Sequence, residues 1–395
     1  MNNITFKDLS LSADTISNLQ KMPLYYSGDD TFVMSIEDAS FEDFLTVSEE
    51  IKSGSKCDDI YENKAGENSF IWVRKDCGYE GAYYIPCRKQ IRMLKRLSGK
   101  LLPTSLTEEK SFSDKKKLIQ LAPNGEAGNF GMGYIICLGE GHFIIYDGNG
   151  DFGGMAEKIL EHLLSDTPEG QKPIIDAWLV THVHWDHVAA MFDFAKKYAD
   201  RVEVRNLLAN FPAHHNIYIK ERGPNTDFYA RWWPKICNWF SDAKIWKLHT
   251  GQCFTVGGVK IEVLLTHEDV YPETLYPNDT STVTMMYINE KKIFFPGDIE
   301  YEAPCKLVHD MYGSYLKSDY YQVSHHGWNS NALYFYDDVD APNVLWPLPQ
   351  RTVGNGENNR ELVLQFPATQ RLMSDWNENK RQFFRTEKED DIFEF

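Results

Sequence analysis

No apolar run approaches the length of about 18 residues that a membrane-spanning helix needs, so no membrane partner is expected. There is no Cys-x-x-Cys pair either. The seven cysteines are scattered and odd in number. That argues against a disulfide scaffold and a cysteine-built zinc knuckle, and for a reducing compartment. Positive charge is scarce: Lys plus Arg total 41 against 58 Asp plus Glu, a formal net charge of −17. Such a surface is a poor generic binder of long nucleic acid or anionic membrane, although bound metal ions can reverse the field locally for a nucleotide substrate. Internal repeats and long low-complexity tracts are absent. The opening residues Met1 to Phe6 lack a charged stretch followed by an apolar one, which gives the expectation of a soluble, cytoplasmic protein. What is plentiful is core material, with 42% apolar and 14% aromatic residues, so a disordered chain is excluded.

At 395 residues the chain has room for roughly two to three domains. Ser40 to Ile51 has the pattern of an amphipathic helix capped by Ser40, with Glu42 and Asp43 where the helix dipole favours negative charge. Strand-like runs follow at Ser69–Val73, Ala82–Pro86 and Gln90–Leu94. A small α+β module over about 1–110 is expected, followed by a larger domain over 111–395. The one basic stretch, Lys89 to Lys100, reads as a solvated edge. Beyond Pro103 and the charged Glu108–Lys117, Lys117–Leu121 is strand-like, and Gly133–Leu138 and His142–Asp147 flank Gly-Glu-Gly as a hairpin. Met155–Leu164 and Val188–Tyr198 have helical period, and Ile174–Val180 reads as a buried strand. Further strands are expected at Val202–Leu208, Val259–Leu265, Thr282–Ile288, Lys292–Phe295, Tyr320–Ser324 and Val344–Leu348, and a frayed end from Thr386. Strands alternating with helices predict a layered α/β fold with the functional loops at strand ends.

The sharpest feature is Thr181-His182-Val183-His184-Trp185-Asp186-His187, three imidazoles and a carboxylate directly after a buried strand. Imidazole nitrogen and carboxylate oxygen suit Zn²⁺ and related metals. Further candidates follow apolar runs: Asp298 in Pro-Gly-Asp, His325 and His326 in Ser-His-His-Gly, His267 in Leu-Thr-His-Glu-Asp, and Asp147 in Tyr-Asp-Gly.

The His-x-His-x-Asp-His pattern, a strand-end His, Gly-Asp and a last His resemble the metallo-β-lactamase-fold hydrolases over about residues 117–350. Asn278-Asp279-Thr280-Ser281-Thr282-Val283 before Gly-Asp, then Ser-His-His-Gly, is similar to the hydrolase-like domain of bacterial DNA-uptake competence proteins and its stand-alone relatives. The resemblance implies a four-layer αββα sandwich. It implies two divalent metal ions, zinc being expected and manganese or iron the alternatives. His182, His184 and His267 would hold the first; Asp186, His187 and His325 the second; Asp298 would bridge them, and Asp147 would orient a ligand loop. His214, His215 and Asp269 rival His267, and His326 rivals the favoured His325. Asp186 and His326 are the candidate catalytic groups, His326 by contacting substrate or assisting proton transfer.

The expected function is a dinuclear metal-dependent hydrolase in which a bridging water, its pKa lowered from about 15.7 towards about 7, attacks phosphorus or carbonyl. A phosphodiester in a small molecule is preferred, with a carboxylic ester or amide next. Iron-dependent redox chemistry on the same fold and a non-catalytic metal-binding or regulatory role are the other classes. Phe228 to Trp246 is rich in aromatics, read mainly as packing and otherwise as a lid; Trp185 and Trp328 flank ligand positions and are placed to shape the pocket. The N-terminal module carries no chemistry of its own and is left with three roles: covering the site, holding a homo-oligomer together, or binding a partner.

Overall fold

The computed structural model describes residues 11, 12, 15, 24–28, 31–56, 59–108, 111–123, 131–150, 153–212, 231–270, 276–300, 302–327, 333–347, 366–386 and 389–395. The N-terminal part forms one antiparallel sheet from Leu24–Gly28 (β1), Thr31–Ile36 (β2), Ile60–Ala65 (β3), Asn68–Arg74 (β4), Tyr79–Ile85 (β5) and Gln90–Arg96 (β6), in the order β1-β2-β6-β5-β4-β3. Helix α1 (Phe41–Lys52) starts as its sequence predicts. The Asp43 amide donates to Ser40 Oγ (3.1 Å) and the Ser40 amide to the Asp43 carboxylate (2.8 Å). Alternation of side chains splits the sheet into two apolar faces. Ile71, Val73, Ala82, Tyr84, Ile91 and Met93 pack with Phe44, Val47 and Ile51 of α1. Phe70, Tyr83 and Ile85 face the other way and join the core of the C-terminal half.

Both faces are therefore covered, which corrects the reading of Lys89–Lys100. Gln90–Arg96 is an interior strand between β2 and β5, and Arg92 is 5% exposed. Its charge is accommodated because Arg92 Nη1 donates to the carbonyl of Glu268 at 2.7 Å, a partner 176 residues away.

The second sheet takes Lys117–Gln120 (β7), Gly133–Gly139 (β8), His142–Asp147 (β9), Ile174–Val180 (β10), Glu203–Val204 (β11), Asn206–Ala209 (β12) and Lys244–Lys247 (β13). Helices α2 (Met155–Ser165), α3 (Trp185–Tyr198) and α4 (Trp233–Trp239) cover its outer face through Ile159, Leu163, Met191, Phe194 and Ile236, in one cluster with Trp178 of β10. The third sheet runs Cys253–Val256 (β14), Val259–Leu265 (β15), Val283–Ile288 (β16), Lys291–Phe295 (β17), Tyr320–Gln322 (β18), Asn343–Trp346 (β19) and Gln382–Arg385 (β20), in that order. Helices α5 (Glu302–Tyr312), α6 (Leu333–Val339) and α7 (Pro367–Asn377) pack on its outside. Between the two sheets lies one apolar core, with Ile136, Ile144 and Leu179 from one side and Ile261, Met286 and Phe295 from the other. The result is a four-layer αββα sandwich with an additional N-terminal sheet.

The end of the chain is not frayed. Asp391–Glu394 (β21) pairs antiparallel with β7, and Asp390 accepts from the Ala122 amide at 2.6 Å and pairs with Lys158 and His162. Charged composition misled here because strand pairing and these partners hold the segment in place. Among the described residues no helix is long and apolar enough to cross a membrane.

Candidate metal centre

The parallel strands β9 and β10, and β17 and β18, all end at the same edge of the sandwich. Each hands a polar loop to that edge. Val180 closes β10, residues 181–184 form a loop, and α3 begins at Trp185 with Asp186 in its first turn, where the free amides of the helix end favour a carboxylate. After β17 the chain turns at Gly297, whose φ of +62° suits glycine; a Cβ there would lie 2.8 Å from that of Ser281. After β18 it turns through His325 and His326, both in the left-handed region with φ of 46° and 51°.

These loops bring Asp186, His187, Asp298 and His326 together, with one ligand atom of each within 4.8 Å of the others. His187 Nε2 lies 2.9 Å from Asp298 Oδ2, and His326 Nε2 lies 3.1 Å from Asp186 Oδ2 and 3.5 Å from Asp298 Oδ2. His182 approaches the same carboxylate oxygen with its Nε2 at 3.9 Å. The His184 ring is 4.9 Å from that of His182, outside the group of four.

Supporting contacts fix which nitrogen faces inward. His187 Nδ1 donates to Asp147 Oδ2 (2.8 Å), and Asp147 also accepts from the amide (2.8 Å) and hydroxyl of Thr181. His326 Nδ1 donates to the Pro347 carbonyl (2.8 Å). Both rings are thus held with Nε2 towards Asp298, the arrangement in which metal-binding histidines are usually oriented. The Asp298 amide donates to Ser281 Oγ at 3.0 Å.

Electrostatics follow from packing acids and imidazoles out of water. Burial pulls the His187 imidazole down, but Asp298, Asp186 and Asp147 outweigh it and hold it well above its ordinary value. Burial likewise opposes the charged form of His326, and Asp298 and Asp186 win, lifting it to about 9. Burial pushes Asp298 up, yet His187 and His326 keep it well below the usual carboxylate range. His182 lacks such support: burial, then the neighbouring His187, push it well below its ordinary value.

Two buried atoms at the centre, His182 Nε2 and Asp298 Oδ1, have no hydrogen-bond partner among the described residues. Leaving an imidazole nitrogen and a carboxylate oxygen dry and unpaired is costly. A divalent cation would satisfy both, and the imidazole-and-carboxylate donor set suits one.

The remaining candidates sit elsewhere. His325, the favoured ligand of the pair, is turned away from the four. Its Nδ1 is 2.7 Å from Glu300 Oε2 and its Nε2 3.2 Å from Asn278 Nδ2. Two consecutive left-handed residues make the second histidine, not the one nearer the strand, swing back towards Asp298. His267 is fully buried in a turn after β15, with Nε2 2.8 Å from Asn210 Oδ1, outside the group of four. Burial lowers it to about 3. Asp269 accepts from Thr250, Tyr83 and the Thr266 amide instead of facing the cluster. His214, His215, Trp328, Phe228 and Tyr229 lie outside the described residues. Of the aromatic stretch, Trp233 and Phe240 are core, while Trp232 sits edge-on to Trp185 at 6.3 Å and to Phe192 at 4.1 Å, packing α4 against α3. Sequence reasoning missed Glu300, Asn210 and the clamp of Ser281 on Asp298. The Asn278–Ser281 run was a signal for the last, since it ends on the residue that holds the Asp298 amide.

The pattern of the metallo-beta-lactamase superfamily matches residues 130–332, more than half of the chain and all four residues of the cluster. The chain belongs to the metallo-beta-lactamase superfamily. No curated protein matches its sequence. Among solved structures, this metallo-beta-lactamase superfamily member is similar to the metallo-beta-lactamase fold protein YhfI from Bacillus subtilis, at 14% identity and a TM-score of 0.42, over 72% of this chain and 100% of that one. It is similar to a diphosphatase of the PhnP family at 13% identity and a TM-score of 0.38, over 71% and 98% of the two chains. CmlA, a diiron beta-hydroxylase from Streptomyces venezuelae, matches at 11% identity and a TM-score of 0.41, over 73% of this chain and 55% of that one.

Proposed function

We propose that this superfamily member is a metal-dependent hydrolase with a dinuclear centre, acting on a phosphodiester or related ester in a small molecule. One observation carries the reading. The Nε2 atoms of His187, His326 and His182 converge on one Asp298 oxygen, at 2.9, 3.5 and 3.9 Å, and the other Asp298 oxygen and the His182 nitrogen have no hydrogen-bond partner among the described residues. A single carboxylate so placed is fit to be shared by two cations. Asp186, His187 and His326 would hold one, and His182 with His184 the other. Bound divalent metals supply Lewis acidity and a nucleophilic water at neutral pH.

The chain's own groups provide orientation. Asp147 keeps the proton of His187 on Nδ1, and the Pro347 carbonyl does the same for His326. Ser281 and Gln322, which accepts from the Gly297 amide at 3.0 Å, fix the loop that presents Asp298. His325, paired with Glu300, stands next to the cluster without joining it and would be the group that meets substrate. The excess of acidic residues favours a small substrate over long nucleic acid.

The test is metal content by plasma mass spectrometry on protein purified without chelator, then hydrolysis of bis(4-nitrophenyl) phosphate. About two zinc or manganese ions per chain, with uptake and turnover both lost in Asp298→Ala, support the proposal. Two irons with no hydrolysis transfer it to redox chemistry. No metal after incubation with excess zinc refutes the centre.

A further inference from the structure

The N-terminal sheet reaches the metal-bearing edge through buried polar side chains, and their partners converge on one turn. Tyr83 of β5 donates its hydroxyl to Asp269 Oδ1. Arg92 of β6 donates to the Glu268 carbonyl at 2.7 Å. Tyr79 meets His249 Nε2 at 2.5 Å, and His249 Nδ1 meets Glu268 Oε2 at 2.6 Å. Trp72 stacks on His249 with ring centroids 5.1 Å apart. All of these side chains are nearly or fully buried, so the hydrogen bonds are made in a low-dielectric setting where breaking one leaves an unpaired group.

The gripped turn, residues 266–269, is connected by two routes to the base of the loop that carries His182 and His184. His267 contacts Asn210, which directly follows Ala209, the register partner of Val180 on the strand that releases His182. Leu265, which enters the turn, pairs with Val283, and the neighbouring Thr282 amide donates to the Thr181 carbonyl at 3.0 Å. The turn is therefore wedged between the N-terminal sheet and the base of the loop carrying His182 and His184.

We propose that Tyr83 and Arg92 are positioning residues of the metal centre: by fixing the 266–269 turn, the N-terminal sheet sets the half of the site formed by His182 and His184. This rests on the metal-centre reading above. It gives the module a role distinct from contacting substrate, since none of its side chains named here touches the cluster. Side chains bonded directly to metal ligands are worth about 10- to 100-fold in metal affinity, and contacts that act through the 266–269 turn are expected at the lower end of that range.

The experiment titrates zinc from the full-length protein with a chromophoric chelator, for the wild type, Tyr83→Phe, Arg92→Gln and Arg74→Ala. Arg74 lies on β4 and pairs at the surface with Asp59 (3.1 Å), away from the turn, and serves as the control. The expected result is one zinc equivalent weakened about tenfold or more in Tyr83→Phe and Arg92→Gln, the other equivalent unchanged, and both unchanged in Arg74→Ala. Tyr83→Phe removes one oxygen and carries the test alone should Arg92→Gln not fold. Folded variants with wild-type affinity at both equivalents overturn the positioning role, as does equal weakening in Arg74→Ala. Wild-type protein that takes up no zinc is a different failure, that of the metal centre itself.

Discussion

Asp147→Asn isolates what orientation contributes at this centre. Asp147 is fully buried, and its two oxygens serve three donors: Oδ1 takes the Thr181 amide, and Oδ2 takes the Thr181 hydroxyl and His187 Nδ1–H. Its φ of 56° is a conformation that asparagine adopts readily, so the exchange adds little backbone strain. It keeps the shape and replaces one acceptor by an NH₂ group. With the oxygen left facing the Thr181 amide, that NH₂ confronts His187 Nδ1–H. Either the contact is lost, or His187 moves its proton to Nε2 and points an N–H into the cluster. Losing a hydrogen bond to a charged group costs about 1.5–3 kcal/mol. Supporting contacts of this kind carry about 10- to 100-fold in metal affinity, which is about 1.4–2.8 kcal/mol, so two independent routes agree. Competition with a chromophoric chelator at neutral pH measures the loss directly. The stabilisation conferred by saturating zinc should shrink by about 1.4 kcal/mol for each tenfold loss. A folded Asp147→Asn protein with zinc affinity within about twofold of wild type would refute the idea that Asp147 sets the His187 tautomer.

Three other outcomes are expected. His326→Ala should abolish uptake of one metal ion, whereas His325→Ala should retain both and lose turnover; plasma mass spectrometry decides, and the reverse assignment would contradict the geometry. Gly251→Ala should lower the thermal midpoint, because a Cβ there would lie 1.9 Å from Phe70 Cδ1 at φ +85°, and overpacking costs about 1–3 kcal/mol; an unchanged melting curve would show that the sheet yields freely. Asp390 is pushed up by burial, but His162, Lys158 and the Ala122 amide outweigh this and hold it below its ordinary value, so its contribution is present above about pH 4 and fades as pH falls through the lowered folded value. Asp390→Asn should therefore be destabilised at pH 7 by about 1–2 kcal/mol and converge on wild type in strong acid; denaturant melts across pH that stay parallel would contradict the sign.

The parts of the fold legible in the sequence are those where one segment carries its own signal. The β8–β9 hairpin, the apolar β10 and helices α1 and α2 are of this kind, as is the His182–His187 run, whose ligand spacing is local. What was not legible depended on distant partners. Arg92 looked like surface charge because its acceptor is 176 residues on, and β21 looked frayed because β7 pairs with it from the far end of the domain. Between His325 and His326 the choice turned on two left-handed backbone angles that nothing in Ser-His-His-Gly announces. The setting of His267 hung on Asn210, 57 residues earlier, just past a strand with no feature to mark it.

The sandwich is also laced at its sides. At one margin the chain leaves edge strand β13 at Lys247 and enters edge strand β14 of the facing sheet at Cys253. At the other it leaves edge strand β20 at Arg385 and enters edge strand β21 at Asp391. Each pair of open edges is thus tied by a short run of backbone, like two boards hinged along both long sides. The loops that carry the candidate metal ligands stand at one end of this doubly tied pair of sheets.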